Sequence, residues 1–236
     1  MFAAIGDIHG YGMKFADLML KLEQKVDFDA TTFVFLGDYI DGGSDSKRVI
    51  EVLMQYQKQY PHWVFLMGNH EDMLLSTIGY SRSVCSSYID NDLPLWYNQG
   101  GRETARSYFP NENTDFMSAA QFRNGFPKEH LEWMRNLPLH HETKDFVFVH
   151  AGLFPGKSAE ETSNFSKLWI RDKFITSNYP WNKWIVFGHT YHRDPVVQIN
   201  KIGIDTMHHG GGCLTAALLD VKDGSFFLEF VQSFRT

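Results

Sequence analysis

The chain has 236 residues, of which 43% are hydrophobic and 15% aromatic, and this composition excludes a disordered protein. Its formal net charge is −6, and Lys and Arg form no long run, so we expect no nucleic-acid partner. The length fits one hydrophobic core, and we predict a single domain over residues 1–236.

The cysteine content and the apolar segments indicate the cellular compartment of the protein. Cys85 and Cys213 are too few for a disulfide framework, which favours a reducing compartment. The N-terminus lacks the basic and apolar regions of a secretion signal, and no segment reaches the length of a membrane helix. We therefore expect a cytoplasmic monomer without a membrane partner.

The first 67 residues alternate between short apolar runs and helical spacing. Strands are predicted at residues 3–6, 33–36 and 63–67. Between the first two strands, apolar residues recur at helical spacing at Phe15, Leu18, Met19 and Leu22. A second helix is predicted from Ile50, Val52, Leu53, Tyr56 and Tyr60, and it ends at Pro61. Repeated strand–helix–strand units predict a parallel sheet.

The pattern changes after this sheet. Residues from about 79 to 141 contain short helical pieces broken by prolines, which predicts a helical insertion over one face. Further strands are predicted at residues 146–149, 184–187, 196–198, 202–204, 214–219 and 226–230. Little helix separates them, so we expect a second, more antiparallel sheet and an α/β (α+β) fold.

Each strand of the first sheet is followed by a glycine and then by a residue with a side-chain oxygen. The three pairs are Gly6-Asp7, Gly37-Asp38 and Gly68-Asn69, spaced 31 residues apart. Such a pair alone is common in turns, but the carboxyl ends of parallel strands share one edge of a sheet. We therefore expect the three oxygen ligands to converge, with the glycines allowing a close approach of the backbone.

Three histidines extend this set. His9 lies two residues after Asp7, and His150 and His189 each follow a predicted strand. A mixture of carboxylate, imidazole and amide donors without thiolate favours Mn²⁺, Fe or Zn²⁺. Such a donor set indicates a catalytic metal site rather than a structural one, and a two-metal site suits attack on phosphorus.

Five ordered motifs together resemble the calcineurin-like metallophosphoesterases. The motifs are Gly6-Asp7-Ile8-His9-Gly10, Gly37-Asp38-Tyr39-Ile40-Asp41-Gly42, Gly68-Asn69-His70-Glu71, His150-Ala151-Gly152 and Gly188-His189-Thr190. More narrowly, the chain is similar to PPP-type serine/threonine protein phosphatases of the bacterial and phage, lambda phosphatase-like branch. Two further stretches similar to that branch are Gln99-Gly100-Gly101-Arg102-Glu103-Thr104 and Leu168-Trp169-Ile170-Arg171-Asp172.

The resemblance implies a β-sandwich flanked by helices in four α/β/β/α layers. It also implies two divalent metal ions, with Mn²⁺ the first candidate and Fe or Zn²⁺ as alternatives. One metal is expected on Asp7 and His9, the other on Asn69, His150 and His189, and Asp38 is expected to bridge them. His70 is then the general acid, Asp41 orients its ring, and the nucleophile is a hydroxide that bridges the metals.

One position departs from the family pattern. Gly42 stands where the motif usually carries an arginine that holds phosphate. Arg171 is the first candidate to bind phosphate in its place. Two weaker candidates are Arg48, which follows Lys47, and Arg102. His208 and His209 precede a glycine run, and a substrate contact there is possible but not the favoured interpretation.

The sequence leaves the substrate open. A phosphorylated protein or a small phosphate ester is expected, and a serine/threonine protein phosphatase is the leading interpretation. A dinucleoside polyphosphate hydrolase acting on diadenosine tetraphosphate is the second. The third is a catalytically impaired phosphoprotein-binding module, which would predict a missing ligand or acid, whereas all of these residues are present.

Overall fold

The computed structural model describes residues 1–81, 84–85, 92–207 and 211–235. The strands are β1 (Phe2–Ile5), β2 (Thr32–Phe35), β3 (Val64–Phe65), β4 (His140–Glu142), β5 (Phe146–Val149), β6 (Trp184–Phe187), β7 (Val196–Gln198), β8 (Lys201–Gly203), β9 (Thr215–Lys222) and β10 (Ser225–Gln232). The α-helices are α1 (Gly12–Glu23), α2 (Ser46–Gln59), α3 (Asn69–Thr77), α4 (Leu93–Trp96), α5 (Arg102–Tyr108), α6 (Ala119–Gly125), α7 (Lys128–Arg135), α8 (Asn164–Trp169) and α9 (Asp172–Ile175).

Two five-stranded sheets carry the fold. The first has the order β10-β9-β1-β2-β3, and the second has the order β4-β5-β6-β8-β7. In the first sheet β1, β2 and β3 are parallel, as the repeated strand–helix–strand units predict. In the second sheet β5, β6 and β8 are parallel, and β4 and β7 pair antiparallel at its edges.

Side chains that alternate between the two faces of each strand build four layers. Ala3 and Phe33 face a core shared with α1 and α2, whereas their neighbours Ala4 and Val34 face the second sheet. On β5, Phe148 points into the core between the sheets, and alternate residues point to a third core beneath α9. This order of helices, sheet, sheet and helices is the predicted four-layer fold.

The C-terminal strands correct one prediction. Residues 214–219 and 226–230 were expected in the second sheet, but β9 pairs antiparallel with β1, with Ala217 opposite Ala4, and β10 extends that sheet. The second sheet is also less antiparallel than expected, because its three central strands are parallel. An apolar run indicates a buried strand but carries no information about which sheet the strand joins.

The segment predicted as a helical insertion contains α4, α5, α6 and α7. Their buried side chains, among them Trp96, Phe122 and Leu131, belong to the same core as β1 and β2. The segment ends earlier than predicted, because His140–Glu142 forms β4 along β5. Within the described residues, each helix is too short or too polar to cross a bilayer. The single domain stays a prediction.

Candidate metal centre

Side chains from both sheets meet at one edge of the sandwich. Asp7 follows β1, Asp38 follows β2, and Asn69 begins α3 after β3. From the second sheet, His150 follows β5 and His189 follows β6. The parallel order within each sheet places these strand ends side by side, so the topology itself brings the predicted ligands together.

Asp38 is the common neighbour of two groups of side chains. Its Oδ2 lies 3.4 Å from Nε2 of His150, 3.7 Å from Nε2 of His9 and 3.8 Å from Nε2 of His70. One atom each from His9, Asp38 and His70 lie within 4.8 Å of one another, and the same holds for Asp38, His150 and His189. This shared carboxylate has the geometry expected of a group that bridges two cations.

The donor atoms around His150 fit a cation. Nδ1 of His150 lies 2.8 Å from the carbonyl oxygen of Leu36, which can only accept, so Nδ1 carries the proton and Nε2 a lone pair. That lone pair faces Oδ1 of Asn69 at 2.8 Å and the Asp38 carboxylate. Three electron-rich atoms that face one another without a proton between them repel unless a positive ion lies among them.

Asp7 and His189 supply two further free donor atoms. The backbone N–H of His189 donates to Oδ2 of Asp7 at 2.8 Å, which fixes the carboxylate. Oδ1 of Asp7 and Nε2 of His189 are buried and lack a protein hydrogen-bond partner among the described residues. Buried polar atoms are normally paired, so these two atoms also fit coordination to an ion.

Four residues of the site adopt left-handed backbone conformations. The φ angles are +48° at His9, +52° at Asp38, +70° at Asp41 and +61° at His189. Such angles cost roughly 1–3 kcal/mol in non-glycine residues and persist only where the surrounding structure imposes them. Four of the six such non-glycine residues in the described part of the chain lie at this edge, a concentration that favours a functional site here.

The glycines before the ligands permit close approach, as predicted. A Cβ on Gly68 would lie 2.1 Å from Oδ1 of Asp38, and one on Gly188 would lie 2.0 Å from Oδ1 of Asp7. Any side chain at these positions would displace the carboxylates from the site.

Burial sets the protonation of the histidines. Desolvation lowers the pKa of His9, His150 and His189 below 6.5, so these rings are neutral and can bind a metal. Burial also acts to lower the pKa of His70, but the carboxylates of Asp38 and Asp41 outweigh it and raise that pKa to about 9. His70 therefore carries a proton at neutral pH, as a general acid must.

The sequence did not identify two buried carboxylates beside the site. Glu71 accepts backbone N–H bonds from Asp38 at 2.9 Å, Tyr39 at 2.8 Å and Gly68 at 3.0 Å, and so holds the turn that presents Asp38. A glutamate three residues after the residue preceding a helix is a capping signal that could have found it. Asp205 follows β8, lines the pocket, and has its pKa raised by burial to about 7.

A pocket of about 650 Å³ opens above the site. Arg171 and Arg102 both line it. Arg171 donates to the carbonyl oxygen of His189 at 2.8 Å, which places its guanidinium beside the predicted ligands. Arg102 stacks 4.7 Å above the ring of Tyr97 and pairs with Asp115. Both arginines are therefore placed where a substrate phosphate could reach them.

The structure places Arg48, a predicted phosphate-binding residue, outside the pocket. Its side chain is 69% exposed on α2, reaches toward Glu51 at 3.6 Å, and lines a separate depression with Lys47. The start of α2 points these cations away from the pocket, so we no longer expect Arg48 to bind phosphate. His208 and His209 lie outside the described residues.

Gly42 has a conformation that an arginine would strain. Its φ is +104°, and the nearest atoms to an added Cβ are 3.6 Å away. There is space for a side chain, but L-residues rarely adopt this backbone angle. The residue that stands in place of the motif arginine therefore lies in a turn that favours glycine.

Comparisons with known proteins give a family match over most of the chain. Residues 1–197 match the model of the calcineurin-like phosphoesterase family. A bis(5'-nucleosyl)-tetraphosphatase of Oceanobacillus iheyensis is 26% identical over 93% of this chain and 88% of its own length. A serine/threonine-protein phosphatase PP2A-like protein of Candida albicans is 35% identical over 36% of this chain and 20% of its own length.

Solved structures share the fold. A protein provisionally assigned as a diadenosine tetraphosphatase superposes with a TM-score of 0.65 at 19% identity, covering 99% of this chain and 93% of that one. A protein serine/threonine phosphatase of Saccharomyces cerevisiae superposes with a TM-score of 0.63 at 14% identity, covering 100% and 80%. With the matched residues spanning most of the sequence, the chain belongs to the calcineurin-like phosphoesterase family.

Proposed function

We propose that this protein hydrolyses phosphate esters or anhydrides at a centre of two divalent cations. The proposed ligands are Asp7, His9, Asp38, Asn69, His150 and His189. The observation that carries the proposal is the Asp38 carboxylate, whose Oδ2 lies 3.7 Å from Nε2 of His9 and 3.4 Å from Nε2 of His150, two imidazoles from different sheets. When bound, the cations would neutralise charge on the phosphate oxygens and lower the pKa of an attacking water. Mn²⁺ is the first candidate, with Fe or Zn²⁺ as alternatives.

His70 is proposed as the proton donor to the leaving oxygen. Its Nδ1 lies 2.8 Å from Oδ2 of Asp41, so Nε2 is the atom directed toward the pocket. The backbone N–H of His70 donates to Oδ1 of Asp38 at 3.0 Å, which ties the acid to the proposed bridging group. Proton donation and charge neutralisation would then act on the same phosphate.

Two substrate classes remain candidates. Diadenosine tetraphosphate is favoured by the Oceanobacillus relative, because that similarity extends over 93% of this chain and 88% of the relative. The pocket is also within the usual size range of small-molecule sites and carries Tyr97 and Tyr191. Phosphoserine or phosphothreonine in proteins, first favoured by the motifs, is supported by the Candida and Saccharomyces phosphatases and remains the second candidate. The lambda phosphatase-like branch is part of this second proposal.

Metal removal followed by a substrate panel tests the proposal. We expect chelation to abolish hydrolysis and Mn²⁺ to restore most of it, because every proposed ligand is a side chain. The panel compares diadenosine tetraphosphate, a phosphopeptide and an aryl phosphate by kcat/KM.

Asp38→Asn should remove most of the activity, and His62→Asn, on the exposed surface, serves as the matched control. Full activity after exhaustive chelation would contradict the metal mechanism, and a stable, metal-loaded protein inactive on all three substrates would favour a binding module.

A further inference from the structure

The helical insertion reaches the proposed proton donor through Asp41. The Asp41 side chain is fully buried, and its Oδ2 is the partner of His70 Nδ1 at 2.8 Å. Its other partners come from the insertion. Trp96, the last residue of α4, places its indole Nε1–H 3.1 Å from both carboxylate oxygens, and the hydroxyl of Thr104 in α5 donates to Oδ1 at 2.7 Å.

The hydrogen-bond directions around Thr104 follow from its partners. The Asp41 carboxylate can only accept, so the Thr104 hydroxyl proton points toward it. The Thr104 oxygen then accepts the backbone N–H of Asp41 at 2.9 Å and the hydroxyl of Ser46 at 3.0 Å. One threonine therefore binds both the backbone and the side chain of Asp41, and it holds a residue whose φ is +70°.

Two adjacent glycines let the insertion come this close. A Cβ on Gly101 would lie 2.3 Å from the Trp96 ring, and one on Gly100 would lie 2.7 Å from the backbone nitrogen of Gly42. The carbonyl oxygen of Gly100 accepts the N–H of Gly42 at 3.1 Å. The Gly-Gly-Arg-Glu-Thr stretch thus docks the turn between α4 and α5 onto the Asp41-Gly42 loop.

We propose that Trp96 and Thr104 are positioning residues that fix the Asp41 carboxylate and, through it, the ring of His70. This inference rests on the proposed function, since it assigns a role in the proton donation that His70 performs there. Without the two donors, a buried carboxylate with unsatisfied oxygens would rotate or draw in water. The ring of His70 would then lose its fixed direction toward the leaving oxygen, although neither Trp96 nor Thr104 contacts the substrate.

The test compares single variants on substrates with different leaving groups. Thr104→Val should lower kcat for a phosphopeptide or other alkyl phosphate by roughly 10–100-fold, the usual effect of removing an outer hydrogen-bond partner. The loss should be smaller for an aryl phosphate, whose leaving oxygen needs little protonation. Thr104→Ser retains the hydroxyl and should restore most of the rate. Ser107→Ala is the matched control, because Ser107 also bonds α5 to α2, through the N–H of Lys47, without contacting Asp41.

A double-variant cycle separates positioning from general stability. In a His70→Asn background, Thr104→Val should change kcat by less than about twofold, because the proton donor is already absent. Equal losses on both leaving groups, or an undiminished loss in that background, would overturn the positioning role. If thermal unfolding shows that Thr104→Val is not folded, Trp96→Phe takes the same tests. This variant removes the indole N–H together with part of a buried ring, so the comparison of leaving groups, and not the loss of rate alone, identifies the positioning role. If the wild type shows no metal-dependent hydrolysis, the proposed function itself is contradicted. If hydrolysis is metal-dependent but His70→Asn leaves the rate unchanged, only the proton-donor role is contradicted, and the positioning role of Trp96 and Thr104 with it.

Discussion

At the scale of single residues, the site keeps backbone angles that its side chains would avoid elsewhere. His9, Asp38, Asp41 and His189 together represent several kcal/mol of conformational cost by the usual range. Hydrogen bonds to the turns that carry them offset part of this cost, such as those that Glu71 accepts from Asp38 and Tyr39. The consequence is a fixed set of donor atoms that does not need to reorganise when a cation or a phosphate binds.

His70→Asn tests the proposed acid directly. We expect turnover to fall by roughly 10²–10⁴-fold, the range typical of general acid catalysis, while metal content stays unchanged. An aryl phosphate should lose less than an alkyl phosphate, because its leaving group needs less protonation. Metal analysis and steady-state kinetics on the two substrates measure both effects, with His62→Asn as the exposed control. Equal losses on the two substrates would assign His70 a role in placing the phosphate instead.

Arg171 is the proposed replacement for the arginine that Gly42 does not supply. Its hydrogen bond to the His189 carbonyl holds it beside the ligands, and a guanidinium can bind two phosphate oxygens at once. Arg171→Ala should raise KM and lower kcat/KM by about tenfold or more, and Arg171→Lys should already raise KM. Arg48→Ala, on the exposed face of α2, is the matched control. A change of kcat/KM within about twofold, or ~0.4 kcal/mol, would mean that Arg171 does not bind the phosphate.

Gly42→Arg would restore the arginine of the family motif, but the backbone at this position does not favour a side chain. Its backbone φ of +104° would be strained by any side chain, although the space around it is open. A sequence motif shows which residue is missing, but it does not show the backbone φ angle at that position. This is one respect in which the site could not be predicted from the sequence.

At the scale of helices and strands, the sequence predicted the strands that end at the site but missed one polar strand and the long-range contacts that support the site. The strands before Asp7, Asp38 and His150 were found because their apolar runs end in an abrupt polar residue. β4 was missed because His140–Glu142 is polar and depends on pairing with β5. The contacts of Trp96 and Thr104 with Asp41 were missed because they join residues 55 and 63 positions apart, which no local pattern records.

The contact between His130 on α7 and Tyr108 on α5 should weaken in acid. His130 on α7 is buried beside the hydroxyl of Tyr108, at 2.9 Å, and burial lowers its pKa below 6.5. The unfolded chain then binds more protons below about pH 6.5, so the stabilisation present above that pH is lost as the pH falls toward the lower folded pKa. The charged groups Glu129, Glu51 and Lys47 around the ring change this shift without reversing it.

His130→Gln tests this acid sensitivity, because glutamine can accept from Tyr108 but does not titrate. We expect Tm to fall less between about pH 8 and pH 5.5 in His130→Gln than in the wild type. Other buried histidines contribute equally to both proteins and cancel in the difference. His62→Gln, in the exposed turn between α2 and β3, is the control variant. If Tm fell as much between these two pH values in His130→Gln as in the wild type, His130 would not be the source of the acid sensitivity.

At the scale of the whole molecule, the four predicted layers are correct. The sheet predicted for the two C-terminal strands is wrong. The strand–helix alternation predicted two sheets, and the family resemblance implied the helices that flank them on both sides. The return of β9 and β10 to the first sheet was not predictable, because it joins residues more than 200 positions apart, as with Phe2 and Leu219. Sheet membership is decided by which buried edge a strand completes, and apolar periodicity does not specify that edge.

The candidate ligands come from both sheets, and bound metal should therefore stabilise the entire fold. Asp7, Asp38 and Asn69 follow strands of the first sheet, and His150 and His189 follow strands of the second. An ion held by both groups links the sheets and binds only the folded state, because the unfolded chain does not assemble the site. At a free Mn²⁺ concentration of about 100 times Kd, the stabilisation is about 2.7 kcal/mol.

For a domain of this size, that free energy corresponds to a rise of roughly 5–10 °C in Tm, measured by thermal unfolding of chelated protein with and without Mn²⁺. Asp38→Asn should reduce the Mn²⁺-induced rise, since the carboxylate faces both groups of donors. Asp223→Asn removes an exposed carboxylate in the turn before β10 and should keep the full rise, which controls for weak surface binding. An equal Mn²⁺ effect in Asp38→Asn would place the stabilising ion elsewhere. An effect on hydrolysis without any effect on Tm would mean that the ions join the site without tying the two sheets together.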